Sequence, residues 1–460
     1  MKLLTCSNTC PRWDGGTLRP RSPGGLAPML VALLQEGGGD WVFTAPPGLQ
    51  DVSPVRLADG VGLHPIDLPD EVRHHHYDVI SIRLFLGLLH YMHDTSAEPV
   101  FDSGMLESWA AYETVNRMYA KRLGELAGNT ADERVLINDP HLMLVPEFFD
   151  AGSGVRRNRL AAFLGTPWVE PGYYSVLPAW MRTRLLESLL HCDVVGFHCD
   201  RWAQAFLACC ARFLPGARAG SRAVTYAGRT TRVVAAPFPV DHDVLDRMRH
   251  EPATARWAQR LAETARGRRT LVRADRLDLW KNLPRGFLAY EELLARRPEL
   301  AGRCWFAAVV TTPSRAAGRH LDYRRRTESI VERINARFGR ETATLIYPGP
   351  GDDSRNCVVA ALGMSRAALV NSTYDGLNLF AKEAAYLLGD DAALLLSVNA
   401  GVHDQLGPYA IGLDPFDLEQ MSRAMEEALD GPAKGPGEAC RQALRAESPL
   451  AWSRAVFAAG

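Results

Sequence analysis

The chain has 460 residues, of which 52 are Lys or Arg and 53 are Asp or Glu, so its formal net charge is −1. This length is more than one hydrophobic core normally organises, and it predicts two domains or three. The hydrophobic content of 47% is that of an ordinary globular protein, and the balanced charge argues against a protein that binds nucleic acid.

The sequence also bears on the compartment. The apolar run at the start of the chain is too short for a signal peptide. The apolar stretch 79–89 is interrupted by Arg83 and Gly87 and is too short to span a membrane. The nine cysteines are an odd number and are scattered, unlike a disulfide framework. We therefore expect a cytoplasmic protein without a membrane partner.

Runs of β-forming apolar residues alternate with helical patterns along the whole chain, which predicts an α/β fold. In the first half, strands are predicted at 134–139, 193–197 and 231–236, with helices after His141 and over 201–213. The segment Pro237-Phe238-Pro239 then predicts a hinge between two domains.

A second α/β series follows the hinge. Its strands are predicted at 269–274, 304–310, 343–347, 367–371 and 393–398, with helices over 285–296 and 321–337. Residues 431–437 have the composition of a linker. We expect an N-terminal domain (1–238), a C-terminal domain (239–437) and a helical segment (438–460) that crosses back to the first domain. Doubly wound sheets of this kind bind ligands beyond the carboxyl ends of their strands.

Four segments near predicted strand ends could carry chemistry. The first is the glycine pair Gly24-Gly25 before a helical run, where the backbone could approach an anion. An ordinary turn is the competing interpretation. A second segment contains Asp139 at a strand end, where a carboxylate could act as a base or bind a hydroxyl group, or could simply cap a helix.

The third segment follows the predicted strand 269–274 and contains Arg276 and Lys281. An arginine fork and a lysine point charge could both face one phosphate-bearing ligand, although a solvated charged loop has the same composition. Only five of the 52 basic residues are lysines, so Lys281 stands out.

The fourth segment, 371–383, has the pattern strand, glycine loop, helix. Main-chain N–H groups after Gly376 could cradle a diphosphate. Asp375 could bind a sugar hydroxyl, and Glu383 could accept both hydroxyls of a ribose. An ordinary βα turn with an acidic cap is the alternative.

Three further groups suggest a metal but are better explained without one. His74-His75-His76 are adjacent and cannot all face one ion, so a solvated turn is expected. His191-Cys192 and His198-Cys199 flank a buried strand, which favours structural roles. Asp352-Asp353 lie in a predicted Gly/Pro/Ser loop. We expect no metal site.

Taken together and in order, these segments resemble the trehalose-6-phosphate synthase family. The strongest stretches are Arg276-Leu277-Asp278 with Lys281, and Asp375-Gly376-Leu377-Asn378-Leu379 with Ala381-Lys382-Glu383. The family consists of retaining glycosyltransferases with the GT-B architecture, in which two Rossmann-like domains face a central cleft. The resemblance implies an acceptor-binding N-terminal domain and a C-terminal domain that binds the nucleotide donor.

The resemblance also implies roles for individual residues. Arg276 and Lys281 would neutralise the leaving diphosphate without a metal ion or cofactor, and Asp139 would be the third catalytic residue. The donor nucleotide and its sugar would be bound by Gly24, Gly25, Arg276, Lys281, Arg355, Asp375, Gly376, Leu377, Asn378, Leu379 and Glu383. The acceptor, phosphorylated or not, would be bound by Thr9, Arg12, Tyr77, Asp139 and Arg315.

Several positions depart from the family pattern. Thr9 replaces an arginine of the acceptor-phosphate clamp, for which Arg12 is near enough to substitute. Gly165 replaces a histidine that binds the donor sugar. The remaining departures replace two aromatic residues and one arginine of the sugar pockets and are Thr44, Leu86 and Tyr374. We therefore expect the nucleotide site to be kept and the sugar pockets to be rebuilt, which disfavours ordinary trehalose 6-phosphate synthesis.

Other stretches look closer to a branch represented by validoxylamine phosphate synthase, among them Asn371-Ser372-Thr373 and Pro415-Phe416-Asp417-Leu418. The resulting hypothesis is a retaining glycosyltransferase of aminoglycoside or aminocyclitol biosynthesis. It would transfer a modified sugar from a nucleotide donor to an amino-sugar or cyclitol acceptor in an α-1,1-type linkage. The alternatives are a pseudo-glycosyltransferase that forms a C–N bond, a trehalose-6-phosphate synthase and a non-catalytic regulatory subunit. The oligomeric state stays open, a homo-oligomer included.

Overall fold

The computed structural model describes residues 2–14, 17–19, 25–46, 49, 53–57, 60–128, 133–153, 160–312, 318–349, 352–432 and 435–458. The chain forms two compact units. Unit 1 comprises Met1–Phe238 and Pro449–Gly460, and unit 2 comprises Pro239–Ser448. The division therefore falls within the predicted hinge. No helix in the part of the chain that the structure describes is long and apolar enough to cross a membrane.

Unit 1 is built on a ten-stranded sheet with the order β10-β11-β12-β9-β8-β7-β1-β4-β6-β5, beside a separate hairpin of β2 and β3. The sheet is parallel from β12 to β6 and has antiparallel strands at both edges. Its strands are β1 (Lys2–Ser7), β2 (Arg12–Asp14), β3 (Thr17–Arg19), β4 (Gly39–Thr44), β5 (Val55–Arg56), β6 (Gly62–Ile66), β7 (Glu133–Asn138), β8 (Leu160–Phe163), β9 (Val194–Phe197), β10 (Arg218–Ala219), β11 (Ala223–Tyr226) and β12 (Arg229–Ala235).

Helices connect these strands. They are α1 (Leu26–Gly37), α2 (Asp70–Arg73), α3 (Gly87–Leu89), α4 (Ser103–Leu126), α5 (Val145–Ser153), α6 (Pro171–Tyr174), α7 (Ala179–Leu189) and α8 (Asp200–Phe213), together with a π-helix over His74–Leu86 and a 3₁₀ turn over Pro140–Leu142. The central strands are buried on both faces, as parallel strands covered by helices are.

Unit 2 contains a six-stranded parallel sheet with the order β15-β14-β13-β16-β17-β18. Its strands are β13 (Arg269–Arg276), β14 (Cys304–Thr311), β15 (Ala343–Ile346), β16 (Ala367–Val370), β17 (Ala393–Ser397) and β18 (Ile411–Leu413). Its helices are α9 (His242–Arg249), α10 (Pro252–Ala265), α11 (Leu283–Arg296), α12 (Arg319–Phe338), α13 (Asp352–Gly363), α14 (Leu379–Leu387), α15 (His403–Leu406), α16 (Leu418–Asp430) and α17 (Gly437–Arg445), with 3₁₀ turns over Leu279–Lys281, Pro298–Leu300 and Gly407–Tyr409.

The sequence predicted a helical segment over 438–460 that crosses back to the first domain. It forms two helices, α17 and α18 (Pro449–Phe457), and only α18 belongs to unit 1. Cys440 and Leu444 of α17 are buried in unit 2, which holds that helix there. On α18, Trp452 is buried and donates from Nε1 to the carbonyl oxygen of Ala236 at 2.8 Å. The return to unit 1 therefore begins at Pro449.

Two smaller differences concern polar segments. Asp352-Asp353 begin α13 and do not lie in a loop; Asp353 Oδ2 accepts the N–H of Gly349 at 2.8 Å. His74-His75-His76 open the π-helix and do not form a turn. Local composition resembles a loop in both cases, but side-chain hydrogen bonds and tertiary packing favour helix.

Lys382 on α14 is fully buried. Its ammonium group contacts Glu447 at 2.7 and 3.0 Å, and Gln405 Nε2 donates to the same carboxylate. Burial lowers the pKa of Lys382, and Glu447 opposes that shift. The pair anchors the end of α17 to unit 2.

We expect Glu447→Gln to lower the free energy of unfolding by about 3 kcal/mol, because the substitution leaves a buried ammonium without its counter-charge. Urea unfolding of the full chain measures this loss. The matched control is Glu332→Gln, which changes a side chain on the exposed face of α12. Equal stability of both variants would show that the Lys382 ion pair contributes nothing.

Candidate functional site

Two loops at the carboxyl end of the unit 2 sheet carry residues that the sequence predicted to bind the diphosphate and the sugar of the donor. One loop follows β13 and contains Lys281, and the other follows β16 and contains Asp375. Because β13 and β16 are neighbouring parallel strands, the loops meet, and Lys281 Nζ lies 2.6 Å from Asp375 Oδ2. The same oxygen accepts hydrogen bonds from Ser372 Oγ at 3.1 Å and Asn378 Nδ2 at 3.0 Å.

The charge of Lys281 is maintained by its neighbours. Its side chain is 17% exposed. Burial opposes ionisation, but the carboxylates of Asp375 and Asp275 outweigh that effect and raise the pKa of Lys281 above its usual value. An ammonium group has three N–H donors, so one contact with Asp375 leaves capacity for a ligand anion.

Arg276, the last residue of β13, is also held by a carboxylate. Its Nε and Nη2 atoms donate to Asp278 Oδ2 at 2.7 and 2.6 Å. The Asp278 side chain is 5% exposed, whereas that of Arg276 is 57% exposed. Asp278 therefore orients a guanidinium that still faces solvent at the sheet edge where ligands bind.

Sequence reasoning missed a buried arginine beneath this site. Arg273 donates to Asp275 Oδ2 from two nitrogens, to Asn371 Oδ1 at 2.9 Å and to the carbonyl oxygen of Lys281 at 2.7 Å. These bonds join the loops after β13 and β16. Arg273 Nη1 also lies 2.6 Å from the point where a Cβ at position 286 would stand, so Gly286 makes room for the guanidinium. The only sequence signal is that Arg273 directly follows the apolar pair Leu271-Val272 within β13.

The loop from Gly376 to Leu379 leads directly into α14, as the strand–loop–helix pattern predicted. Asn378 has a φ of 79°, and its side chain accepts the N–H of Ala381 at 3.2 Å as the helix cap. Leu377 is buried and its carbonyl oxygen accepts the N–H of Val402. The first N–H groups of α14 precede the helical hydrogen-bond ladder and can serve an anion.

Arg355 on α13 and Glu383 on α14 form a second pair, with Arg355 Nη2 at 3.8 Å from Glu383 Oε1. Burial raises the pKa of Glu383, and Arg355 opposes that shift. Arg355 Nε is buried and has no hydrogen-bond acceptor among the described residues. A partly satisfied charged pair of this kind can bind a ligand that supplies hydroxyl and anionic groups.

In unit 1, Asp139 follows β7 directly and has an unusual backbone conformation, φ 68° and ψ 162°. Its side chain makes no capping hydrogen bond to the turn Pro140–Leu142, so helix capping does not explain it. Burial raises the pKa of Asp139 to about 6, and the amide of Gly165 opposes the shift. A Cβ at position 165 would lie 3.1 Å from Asp139 Oδ1 and 3.6 Å from His198 Nε2.

The other predicted residues of unit 1 lie on several different elements. Tyr77 stacks on His141 with ring centroids 5.6 Å apart. The carbonyl oxygen of Thr9 accepts a hydrogen bond from Ser7 Oγ at 2.9 Å, and Arg12 lies exposed on β2. Gly25 precedes α1 with a φ of 82°, a conformation that favours glycine. Gly24 and Arg315 lie outside the described residues.

The positions that depart from the family pattern have these environments. Thr44 is 6% exposed and its hydroxyl contacts Asn8 Oδ1 at 3.0 Å and Tyr119 Oη at 2.8 Å. Leu86 is the last residue of the π-helix. Tyr374 lies 6.3 Å from the ring of Phe416 and carries no positive charge.

The histidines of the π-helix have separate partners. His74 contacts Asp78, His75 contacts Ser108 and His76 stacks on Tyr112. They do not converge on one point. Ligand-type atoms of Glu71, His75 and Glu107 lie within 4.8 Å of one another, an arrangement that the sequence did not indicate.

With this geometry established, the chain can be compared with known proteins. The model of glycosyltransferase family 20 matches residues 21–444. The chain is similar to the alpha,alpha-trehalose-phosphate synthase (UDP-forming) 2 of Aspergillus fumigatus, with 30% identity over 443 residues that cover 93% of this chain and 90% of that protein. The corresponding Schizosaccharomyces pombe synthase is 29% identical over 449 residues, 94% of this chain and 84% of its own.

Solved structures are similar over nearly the whole chain. The alpha,alpha-trehalose 6-phosphate synthase of Burkholderia multivorans is 27% identical with a TM-score of 0.82, covering 98% of this chain and 96% of that one. An Escherichia coli structure bound with UDP-2-fluoro glucose is 24% identical with a TM-score of 0.81, covering 99% and 96%, which shows a shared fold.

Proposed function

Because the chain belongs to glycosyltransferase family 20, we propose that it transfers a sugar-like group, with retention, from a nucleoside diphosphate donor to a modified sugar or cyclitol acceptor. The glycosyltransferase class and the GT-B fold expected from the sequence are confirmed by the family match and the structural likeness. The observation that carries the proposal is the cluster of Arg276, Lys281 and Asp375 at the carboxyl edge of the unit 2 sheet.

The cations of unit 2 account for binding of the leaving group. Arg276 offers a fork and Lys281 a compact charge, and the start of α14 adds main-chain N–H groups. Arg355 and Glu383 would hold the ribose and its neighbouring phosphate. A regulatory subunit that has lost activity would not need this set, so an enzyme is the better interpretation.

The reaction then follows from charge stabilisation. The bond between the donor's anomeric carbon and the diphosphate oxygen breaks, and Arg276 and Lys281 stabilise the developing negative charge. The acceptor oxygen or nitrogen bonds to the same face of that carbon. Its proton passes to the departing phosphate oxygen. Asp375 would hold a ring hydroxyl during the step.

In this mechanism Arg276 and Lys281 neutralise the negative charge of the diphosphate. We therefore expect turnover to be unchanged after removal of divalent ions. Steady-state rates measured with and without EDTA test this directly. A loss of activity that Mg²⁺ or Mn²⁺ restores would assign part of the charge stabilisation to a metal and would refute the role given to Arg276 and Lys281 alone.

The relatives are synthases of trehalose phosphate by name, whereas this chain differs from the family pattern at sugar-pocket positions in both unit 1 and unit 2. Gly165 has no side chain, Thr44 hydrogen-bonds internally, and Tyr374 cannot pair with an anion as arginine does. These differences support an amino-sugar or cyclitol acceptor of the kind found in aminocyclitol natural products. An acceptor that reacts through its amine nitrogen would form a C–N bond instead of a C–O bond.

We expect kcat/KM for UDP-glucose with glucose 6-phosphate to be at least about tenfold lower than kcat/KM for a cognate amino-sugar pair. The loss of one polar contact with the substrate costs about 1.4 kcal/mol, which corresponds to that factor. A coupled assay for UDP release, with product identified by mass spectrometry, measures the rates. Efficient synthesis of trehalose 6-phosphate would instead make the chain an ordinary synthase.

A further inference from the structure

Three adjacent parallel strands of unit 1 place two polar residues and a glycine side by side. Asp139 follows β7, Gly165 follows β8 after one further residue, and His198 follows β9. Strand β8 pairs with both β7 and β9, so these positions lie side by side at the carboxyl edge of the sheet. Ligands of doubly wound sheets bind at that edge.

The Asp139 carboxylate and the His198 imidazole converge on one point. A Cβ at position 165 would stand 3.1 Å from Asp139 Oδ1 and 3.6 Å from His198 Nε2. The His198 ring is fixed by edge-to-face contacts with Phe163 and Phe238, whose centroids lie 5.0 and 4.5 Å away. With glycine at 165, no side chain of that residue stands between the two polar groups.

The backbone at Asp139 is held in a conformation that other residues rarely adopt. Its φ of 68° with ψ of 162° lies in a region used almost only by glycine, and backbone strain of this kind is concentrated at functional sites. Its N–H donates to the carbonyl oxygen of Phe163 at 2.9 Å, and its own carbonyl accepts the N–H of Leu142 at 3.2 Å. The fold therefore presents this carboxylate in one fixed direction.

The carboxylate also lacks a counter-charge. Among the described residues, no lysine, arginine or histidine forms an ion pair with Asp139, and only the Gly165 amide offsets its burial. A desolvated carboxylate gains most from a cationic partner. Sugar hydroxyls can donate a hydrogen bond here, but an ammonium group supplies charge as well.

We propose that Asp139, the open position at Gly165 and His198 form a subsite that recognises an ammonium group on the sugar or cyclitol substrate. The subsite deepens the proposed function, on which it rests, by naming the residues that would select an amine. Asp139 provides the negative charge, His198 adds a hydrogen-bonding nitrogen, and Gly165 provides the room.

The test compares amines with the matching alcohols on the full chain by isothermal titration calorimetry. One arm titrates glucose and its 2-, 3-, 4- and 6-amino-deoxy derivatives, free and as phosphates, in the presence of UDP. The other arm titrates UDP-glucose and UDP-linked amino sugars, so that an acceptor-borne amine is distinguished from a donor-borne one. We expect that, in one of the two arms, one positional isomer of the amino sugar binds at least about tenfold more tightly than the matching alcohol. This is the effect of one charged hydrogen bond.

Three variants locate the effect. Asp139→Asn should remove the preference for the amine, and Gly165→His should remove it by filling the space. Gly172→Ala should leave it unchanged, because a Cβ at Gly172, an exposed position on α6, meets nothing within 4 Å. Circular dichroism and thermal unfolding verify that each variant is folded, and UDP binding reports that the nucleotide site of unit 2 is unchanged.

The proposal is overturned if no amine exceeds its alcohol in either arm while UDP still binds, or if Asp139→Asn keeps the preference. In the first case the proposed glycosyltransferase function survives with neutral substrates. Failure of UDP and other nucleoside diphosphates to bind the unaltered chain would instead count against the proposed function itself.

Discussion

Replacing Lys281 with methionine is expected to lower kcat by about 10²–10³-fold, the loss typical of removing one preorganised group that stabilises a developing anion. Methionine keeps most of the length and the apolar stem of lysine but has no positive charge to neutralise the diphosphate. Single-turnover measurements with saturating donor report the chemical step. The chain should stay folded, as judged by circular dichroism.

The matched control is Lys121→Met, which removes an exposed lysine on α4 of unit 1. It should leave turnover unchanged. Lys281→Arg keeps a positive charge but replaces a compact ammonium by a planar fork, so an intermediate rate is expected. Near-normal turnover of Lys281→Met would refute the assigned role.

The second large effect concerns stability. Arg273→Leu should lower the free energy of unfolding by about 3–5 kcal/mol, because it leaves the buried Asp275 carboxylate without its partner. The side chains of Arg273 and Asp275 are 1% and 6% exposed. Burial already raises the pKa of Asp275, although Arg273 and Lys281 oppose that shift.

Urea unfolding separates this effect from a surface change. Arg325→Leu, which breaks the exposed contact of Arg325 with Asp322 on α12, should cost less than about 1 kcal/mol. The double variant Arg273→Leu/Asp275→Leu should recover part of the loss, since it removes both charges together. If Arg273→Leu were no less stable than Arg325→Leu, the network would not support the site.

Much of the fold could be predicted from the sequence because the strands of both units are apolar and buried. The predicted strands 304–310 and 393–398 agree with Cys304–Thr311 and Ala393–Ser397 to within one residue at each end. The π-helix over His74–Leu86 could not be predicted, because its hydrogen bonds depend on packing and not on local propensity. The break between α17 and α18, residues 446–448, was missed because both flanking segments have helical periodicity.

The candidate site, like the fold, could be predicted from the sequence only in part. Arg276, Lys281 and Asp375 were identified because each stands next to a strand end or a glycine loop. The contact of Lys281 with Asp375 and that of the buried Arg273 with Asn371 were not predicted, since only the neighbouring positions of β13 and β16 bring these residues together. His198 first indicated a structural role because the sequence cannot show that β7, β8 and β9 are adjacent.

The central claim is that the Arg276–Lys281 cluster binds the diphosphate of a nucleotide donor. Calorimetric titration of the unaltered chain and of Lys281→Met with UDP, GDP, ADP and dTDP tests it most directly. We expect one nucleotide to bind the unaltered chain and to lose at least about tenfold in affinity in the variant, the loss that corresponds to about 1.4 kcal/mol. Failure of all four to bind, or equal affinity for both proteins, would contradict the claim.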